Sequence, residues 1–163
     1  METPLFTVLS PMALQLLYQK ETAIHSKTTC GKAKIMSYVF TKKVSHSFEQ
    51  TLEIVSKELG KEGFGILTEI DVKATLKKKL DADFRKYRIL GACNPPYAFK
   101  ALQAEPHIGA MLPCNVIVQE YENGEVEVAA IDPLASMQAI ENSTLKVIAE
   151  EIRAKLKNVV ELL

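Results

Sequence analysis

Residues Cys114–Ile131, CNVIVQEYENGEVEVAAI, decide how this 163-residue chain folds. Two stretches rich in β-branched residues, Cys114–Tyr121 and Glu125–Ile131, flank Glu122-Asn123-Gly124. Asn-Gly is the strongest short hairpin signal, because both residues tolerate the positive φ that a tight two-strand turn requires. In that hairpin Val116 and Val118 share a face with Val126, Val128 and Ala130. One face is thus apolar, and the remaining elements must bury it.

Working outward, Lys86–Cys93 (KYRILGAC) reads as the preceding strand, with Tyr87, Ile89, Gly91 and Cys93 alternating against Arg88, Leu90 and Ala92. Asn94-Pro95-Pro96 starts a helix that runs to about Ala104, with Asn as cap and Pro in the first turn. Further upstream, Tyr38–Val44 and Phe64–Ile70 read as strands, the second with Phe64, Ile66, Thr68 and Ile70 on one face. Between them Ser45 or Ser47 caps a helix whose Phe48, Leu52, Val55 and Leu59 repeat at helical spacing, ended by Gly60 and Gly63. Asp71 caps a short helix bearing Val72, Leu76 and Leu80, and Asp132-Pro133 opens a helical turn. Asn142 or Ser143 caps a long helix with the stripe Leu145, Ile148, Ala149, Ile152, Leu156, Val159 and Leu163. Two amphipathic helices and a mostly antiparallel sheet predict an α+β two-layer sandwich, helices on one face. The other sheet face then needs cover, a physical reason to expect dimerisation.

Residues 1–35 pattern differently. They hold four Lys and two Glu, which leaves residues 36–163 with 16 basic and 18 acidic groups, net −2. The apolar run from Leu5 to Leu17 is interrupted by Pro11. A secretory signal needs basic residues ahead of such a run and a small-x-small cleavage site behind it. Here the only early charge is Glu2, and Ala23-Ile24-His25 is a poor triplet. The segment reads as a poorly patterned N-terminal extension, with Met36 as the start of the single domain 36–163; a flexible tail or a short docking helix near Met12–Lys20 are the alternatives. No 18-residue apolar stretch is present, so no membrane partner is expected. Zero net charge argues against a nucleic-acid partner, and three cysteines do not make a secreted disulfide framework, so the protein reads as cytoplasmic.

The segments Gly63–Asp71 (GFGILTEID), Tyr87–Pro95 (YRILGACNP), Ile108–Asn115 (IGAMLPCN) and Ala130–Pro133 (AIDP), in this order, resemble the uncharacterised family called domain of unknown function 302. The resemblance covers about residues 36–163. It implies a β-α-β(4)-α order similar to the TATA-binding-protein-like fold, and homodimers. It implies no established activity.

Chemistry concentrates at Cys93 and Cys114. If the third and fourth strands are antiparallel neighbours, the end of one lies beside the start of the other, and the two thiols approach. Cys93 also precedes the Asn94 helix start, where unpaired N–H groups favour an anion and would lower a thiol pKa. Such a pair could hold a soft metal such as Cu or Zn, or cycle as a disulfide. His107 would make a two-cysteine, one-histidine zinc set; Met111 shares its intervening segment, and Asp71 and Asp132 lie at strand ends nearby. The plainer reading buries both cysteines as small apolar residues, leaves His107 in a loop and puts Met111 in the core. Glu69 and Asp71 could pair for acid–base work, but helix capping alone explains Asp71, and Asp132 likewise. Lys77–Lys79 with Arg85, Lys86 and Arg88 reads as a solvated basic face. Gly60–Gly65 (GKEGFG) runs from helix to strand, the wrong direction for a phosphate loop.

These residues predict a small binding protein with its ligand site around Cys93, Asn94, Pro113 and Cys114, flanked by Asp71 and Asp132. Two other classes stay open: a thiol-dependent enzyme using Cys93, and a structural or interaction dimer with no ligand site.

Overall fold

The chain's structure is a computed structural model that describes residues 37–163. The expectations for segment 1–35 and for Met36 lie outside the described residues. The order is β1 (Val39–Val44), α1 (Phe48–Lys61), β2 (Gly65–Asp71), α2 (Val72–Leu80), β3 (Tyr87–Cys93), α3 (Pro95–Ala104), a 3-10 segment (Pro106–Met111), β4 (Cys114–Glu120), β5 (Val126–Ile131), the single turn α4 (Pro133–Ser136) and α5 (Ser143–Leu162). The five strands form one sheet in the order β1-β5-β4-β3-β2, and every neighbouring pair is antiparallel. The result is the α+β sandwich that the pattern predicts. Among the described residues no helix is long and apolar enough to cross a membrane.

The β4–β5 hairpin sets the register. Val116 lies opposite Ala130 and Val118 opposite Val128, and all four side chains are buried in one phase. Cross-strand partners share a face, so this phase is the sheet's contribution to the core. Val55 and Leu59 of α1 and Ile152, Leu156 and Val159 of α5 complete it. Fully burying a side chain such as Leu59 or Leu156 stabilises the fold by roughly 1.5–3 kcal/mol. Ser47 caps α1 through a reciprocal capping box with Gln50. The helix does not end at Gly60; it continues to Lys61, and Gly63 takes the positive φ of +83° that lets the chain turn into β2.

The reading of β2 needs correction. Ile66 lies opposite Ala92, but Thr68 lies opposite Gly91, so Leu67 is an extra residue that shifts the register. A bulge of this kind reverses the alternation beyond it. Ile66 therefore shares the core phase with Ala92, whereas Thr68 and Ile70 share the opposite phase with Gly91 and Ile89. β2 is also a sheet edge, and Ile66, Leu67 and Ile70 are all exposed.

Candidate functional site

The polar candidates are drawn into structural roles. Asp71 Oδ1 accepts a hydrogen bond from the Ala74 N–H at 2.8 Å, capping α2, and Oδ2 accepts from Arg88 Nη2 at 3.1 Å. Glu69 accepts from the other arm of the same guanidinium, so the two carboxylates share one cation and are not poised for acid–base work. Asp132, only 4% exposed, caps α4 through the Leu134 and Ala135 N–H groups and accepts from Arg153 Nε at 2.9 Å. Asn94 occupies the cap position of α3 but makes no side-chain cap bond. Its amide donates instead to the Glu62 carbonyl at 3.2 Å, tying the start of α3 to the end of α1. Hydrogen bonds from Asn158 and Lys155 hold the Glu62 carboxyl below the usual carboxylate range.

The two cysteines lie near each other at the adjoining ends of β3 and β4, but not directly opposite. Ala92, not Cys93, lies opposite Cys114, so the two cysteines are out of step by one residue and are not cross-strand partners. Both are free. Burial pushes the Cys93 thiol pKa up, opposite to the lowering expected beside a helix start. Cys114 is pushed up to about 11, first by burial and then by the proximity of Cys93. Both are therefore neutral thiols at ordinary pH. The three-ligand metal set is not assembled: His107 is 95% exposed, pairs with Glu105, and among the described residues no three His, Cys, Asp or Glu side chains are grouped to hold a metal. Met111, expected in the core, is exposed.

The Cys93/Cys114 end of β3 and β4 is instead apolar. Cys93, Asn94 and Cys114 border a narrow, partly open cavity of about 30 Å³, walled by Ala101 and Leu112 on one side and by Leu145 on α5. That space suits about one water by size, but its walls are almost wholly carbon, and such cavities stay dry. It lies on a boundary between two hydrophobic clusters. The main core contributes Phe64, Ala92 and Cys114, and a satellite cluster built on Ala101, Ile108 and Leu145 forms the outer wall.

Pro113, the remaining sequence candidate, belongs to an interlock that the alternation pattern conceals. A Cβ on Gly91 would lie 2.2 Å from Thr68 Oγ1 and 2.7 Å from Pro113 Cγ. Both neighbours cross β3 at its one residue without a side chain. A glycine inside a strand is the signal that marks such an approach.

At the opposite end of the same strands lies a cluster missed by sequence reasoning. Arg85 Nε and Nη2 donate to Gln119 Oε1 at 3.1 and 2.8 Å. The Gln119 amide donates to Tyr121 Oη and to Glu127 Oε1, each at 2.9 Å. The basic residues are largely exposed and paired at the surface: Lys86 with Glu49 and Glu120, and Lys77 with Asp81 and Asp83.

The comparisons with known proteins agree with this architecture. No curated protein matches the chain. Its fold is similar to the crystal structure of an uncharacterised conserved DUF302 protein from Bacillus stearothermophilus, with a TM-score of 0.71 and 30% sequence identity, covering 76% of this chain and 96% of that one. The model of the family described as domain of unknown function DUF302 matches residues 40–163, and the chain belongs to that family.

Proposed function

We propose that the chain is a small-ligand binding protein whose site is the apolar boundary beside Cys93 and Cys114, and that its ligand is a small uncharged, apolar molecule. The observation that carries this reading is the cavity between the main core and the satellite cluster. Only Ala101, Ile108 and Leu145 are fully buried in the satellite, against sixteen residues in the main core. The satellite is the smaller cluster, so parting it from the core is expected to expose less apolar surface than opening the core itself. Two protonated thiols add polarizable, weakly polar contacts without a charge to desolvate. The raised Cys93 pKa tells against Cys93 as an enzyme nucleophile, since that use needs a thiolate.

Indole is a suitable probe because the chain contains no tryptophan, so its emission is unobscured. Indole is expected to bind the wild-type protein saturably. Ala98→Leu, at a half-buried position on the cavity wall, is expected to weaken that binding tenfold or more while the fold persists by circular dichroism. Equal binding by both proteins would overturn the reading, as would stoichiometric zinc or copper in natively purified protein that is lost on Cys93→Ala.

A second reading, a dimer, is favoured by one specific feature. Edge strand β2 presents unpaired backbone groups together with exposed Ile66, Leu67 and Ile70, and Leu80 of α2 is exposed beyond it. A bare apolar edge of this kind is a template for a second copy. Solution mass measured for the wild type and for Leu67→Lys tests it: a dimer that becomes a monomer supports the reading, and a wild-type monomer removes it.

A further inference from the structure

The Arg85 guanidinium sits in an aromatic box. Its carbon lies 4.7 Å from the Phe84 ring centroid and 5.6 Å from those of both Tyr87 and Tyr121. All three are within the distance over which a ring face attracts a cation. Gln119 forms the floor and is 7% exposed. Its carbonyl oxygen receives both guanidinium hydrogen bonds, while its amide is fixed by Tyr121 and Glu127. Tyr121 Oη in turn donates to Glu127 Oε1 at 2.9 Å. Among the described residues Glu127 makes no direct ion pair; its partners are these neutral donors. The rim acids Glu125 and Asp83, by contrast, are paired with Lys43 and Lys77. Glu127 adds negative charge to this end; it faces Lys43, its cross-strand partner, and is linked to Arg85 through Gln119.

The occupant is carried by an irregular segment rather than by a helix or strand. Arg85 lies in segment 81–86, which has no helix or strand, and Asp81 at its start takes a left-handed φ of +51°. The box opens into a groove of about 800 Å³ edged by Lys43, Phe84, Tyr121 and Glu125, within the size range of small-molecule sites. Three rings and one buried acceptor, built around a guanidinium and open to solvent, are the parts of a cation receptor.

The geometry points to a second ligand site: the box receives the guanidinium group of a small molecule, and Arg85 is its tethered competitor. A tethered group competes at an effective concentration in the millimolar range, so the free ligand binds the wild type weakly and gains when the tether is removed. This site lies at the opposite end of β3–β4 from the apolar cavity and does not depend on it.

Ethylguanidinium is the probe, with acetate as the anionic comparison, read by tyrosine emission and by the ring proton resonances of Tyr87 and Tyr121. Arg85→Ala is expected to bind ethylguanidinium at least tenfold more tightly than the wild type, and Arg85→Ala with Tyr121→Leu is expected to lose that gain. Arg85→Gln, which keeps a hydrogen-bond donor toward Gln119, serves if Arg85→Ala does not fold. No gain in affinity on removing Arg85, a gain that survives Tyr121→Leu, or equal binding of acetate would overturn the inference.

Discussion

β3 and β4 run side by side, yet their two ends are built from opposite chemistry. At the Cys93/Cys114 end the walls are carbon, the thiols are neutral, and the polar side chains nearby are tied into caps and ion pairs. At the Tyr87/Gln119 end a buried amide joins a guanidinium, a phenol and a carboxylate in one hydrogen-bonded chain. The first end is specified by shape and the second by hydrogen-bond complementarity. Substitutions that change volume should therefore act at one end, and substitutions that change donors and acceptors at the other.

The largest effect is expected at Gly91, on the apolar side of this divide. Gly91→Val forces a branched side chain against Thr68 and Pro113 and is expected to cost about 3 kcal/mol, seen as a lower denaturant midpoint. Thr68→Ala in the same chain should recover part of that loss, because it removes the nearer obstacle. The tyrosine near-UV signal from the polar end should stay unchanged.

Cys114 gives the next effect, and its sign follows from burial. The folded chain keeps the Cys114 proton up to a pKa of about 11, whereas an unperturbed thiol releases it near 9.0. Between those values the unfolded chain binds fewer protons, so stability is full below pH 9 and falls as pH rises toward 11. About 2–3 kcal/mol is at stake. Thermal melts across this window should show the loss in the wild type and lack the Cys114 contribution in Cys114→Ala.

Gln119→Leu tests the polar end at nearly constant volume. It strips Arg85 of its acceptor and Glu127 and Tyr121 of a donor, and is expected to cost about 1–2 kcal/mol. Indole binding at the far end should be unaffected. The smallest effect belongs to the rim: Lys43→Ala removes an exposed ion pair with Glu125 and should leave the denaturant midpoint unmoved.

The two ends also differ in how far the sequence discloses them. Element order, the β4–β5 hairpin and the α5 stripe are legible because each rests on local periodicity or a local turn signal. The ligand position proposed beside Cys93 and Cys114 is legible only as a region. The single residue Leu67, and the one-step offset of Cys114 against Ala92, are matters of register that alternation within one strand does not determine. The same limit hid the apparent metal set, since His107 shares a short segment with Cys114 but turns outward. The Arg85 box has almost no sequence signature. Phe84, Arg85 and Tyr87 meet Gln119 and Tyr121 only because β3 pairs with β4, and a pairing at that separation leaves no periodic trace. The one available signal was the run of aromatic residues around Arg85, which reads equally well as an edge of the core.

Xenon pressurisation of a crystal tests the central claim most directly, because xenon seeks dry, polarizable cavities and forms no hydrogen bonds. Xenon density is expected between Cys114, Ala101 and Leu145, and it should be absent from the Arg85 box. An ordered water in that cavity bonded to Asn94 or to a cysteine, with no xenon beside Cys114, would contradict an apolar ligand site there.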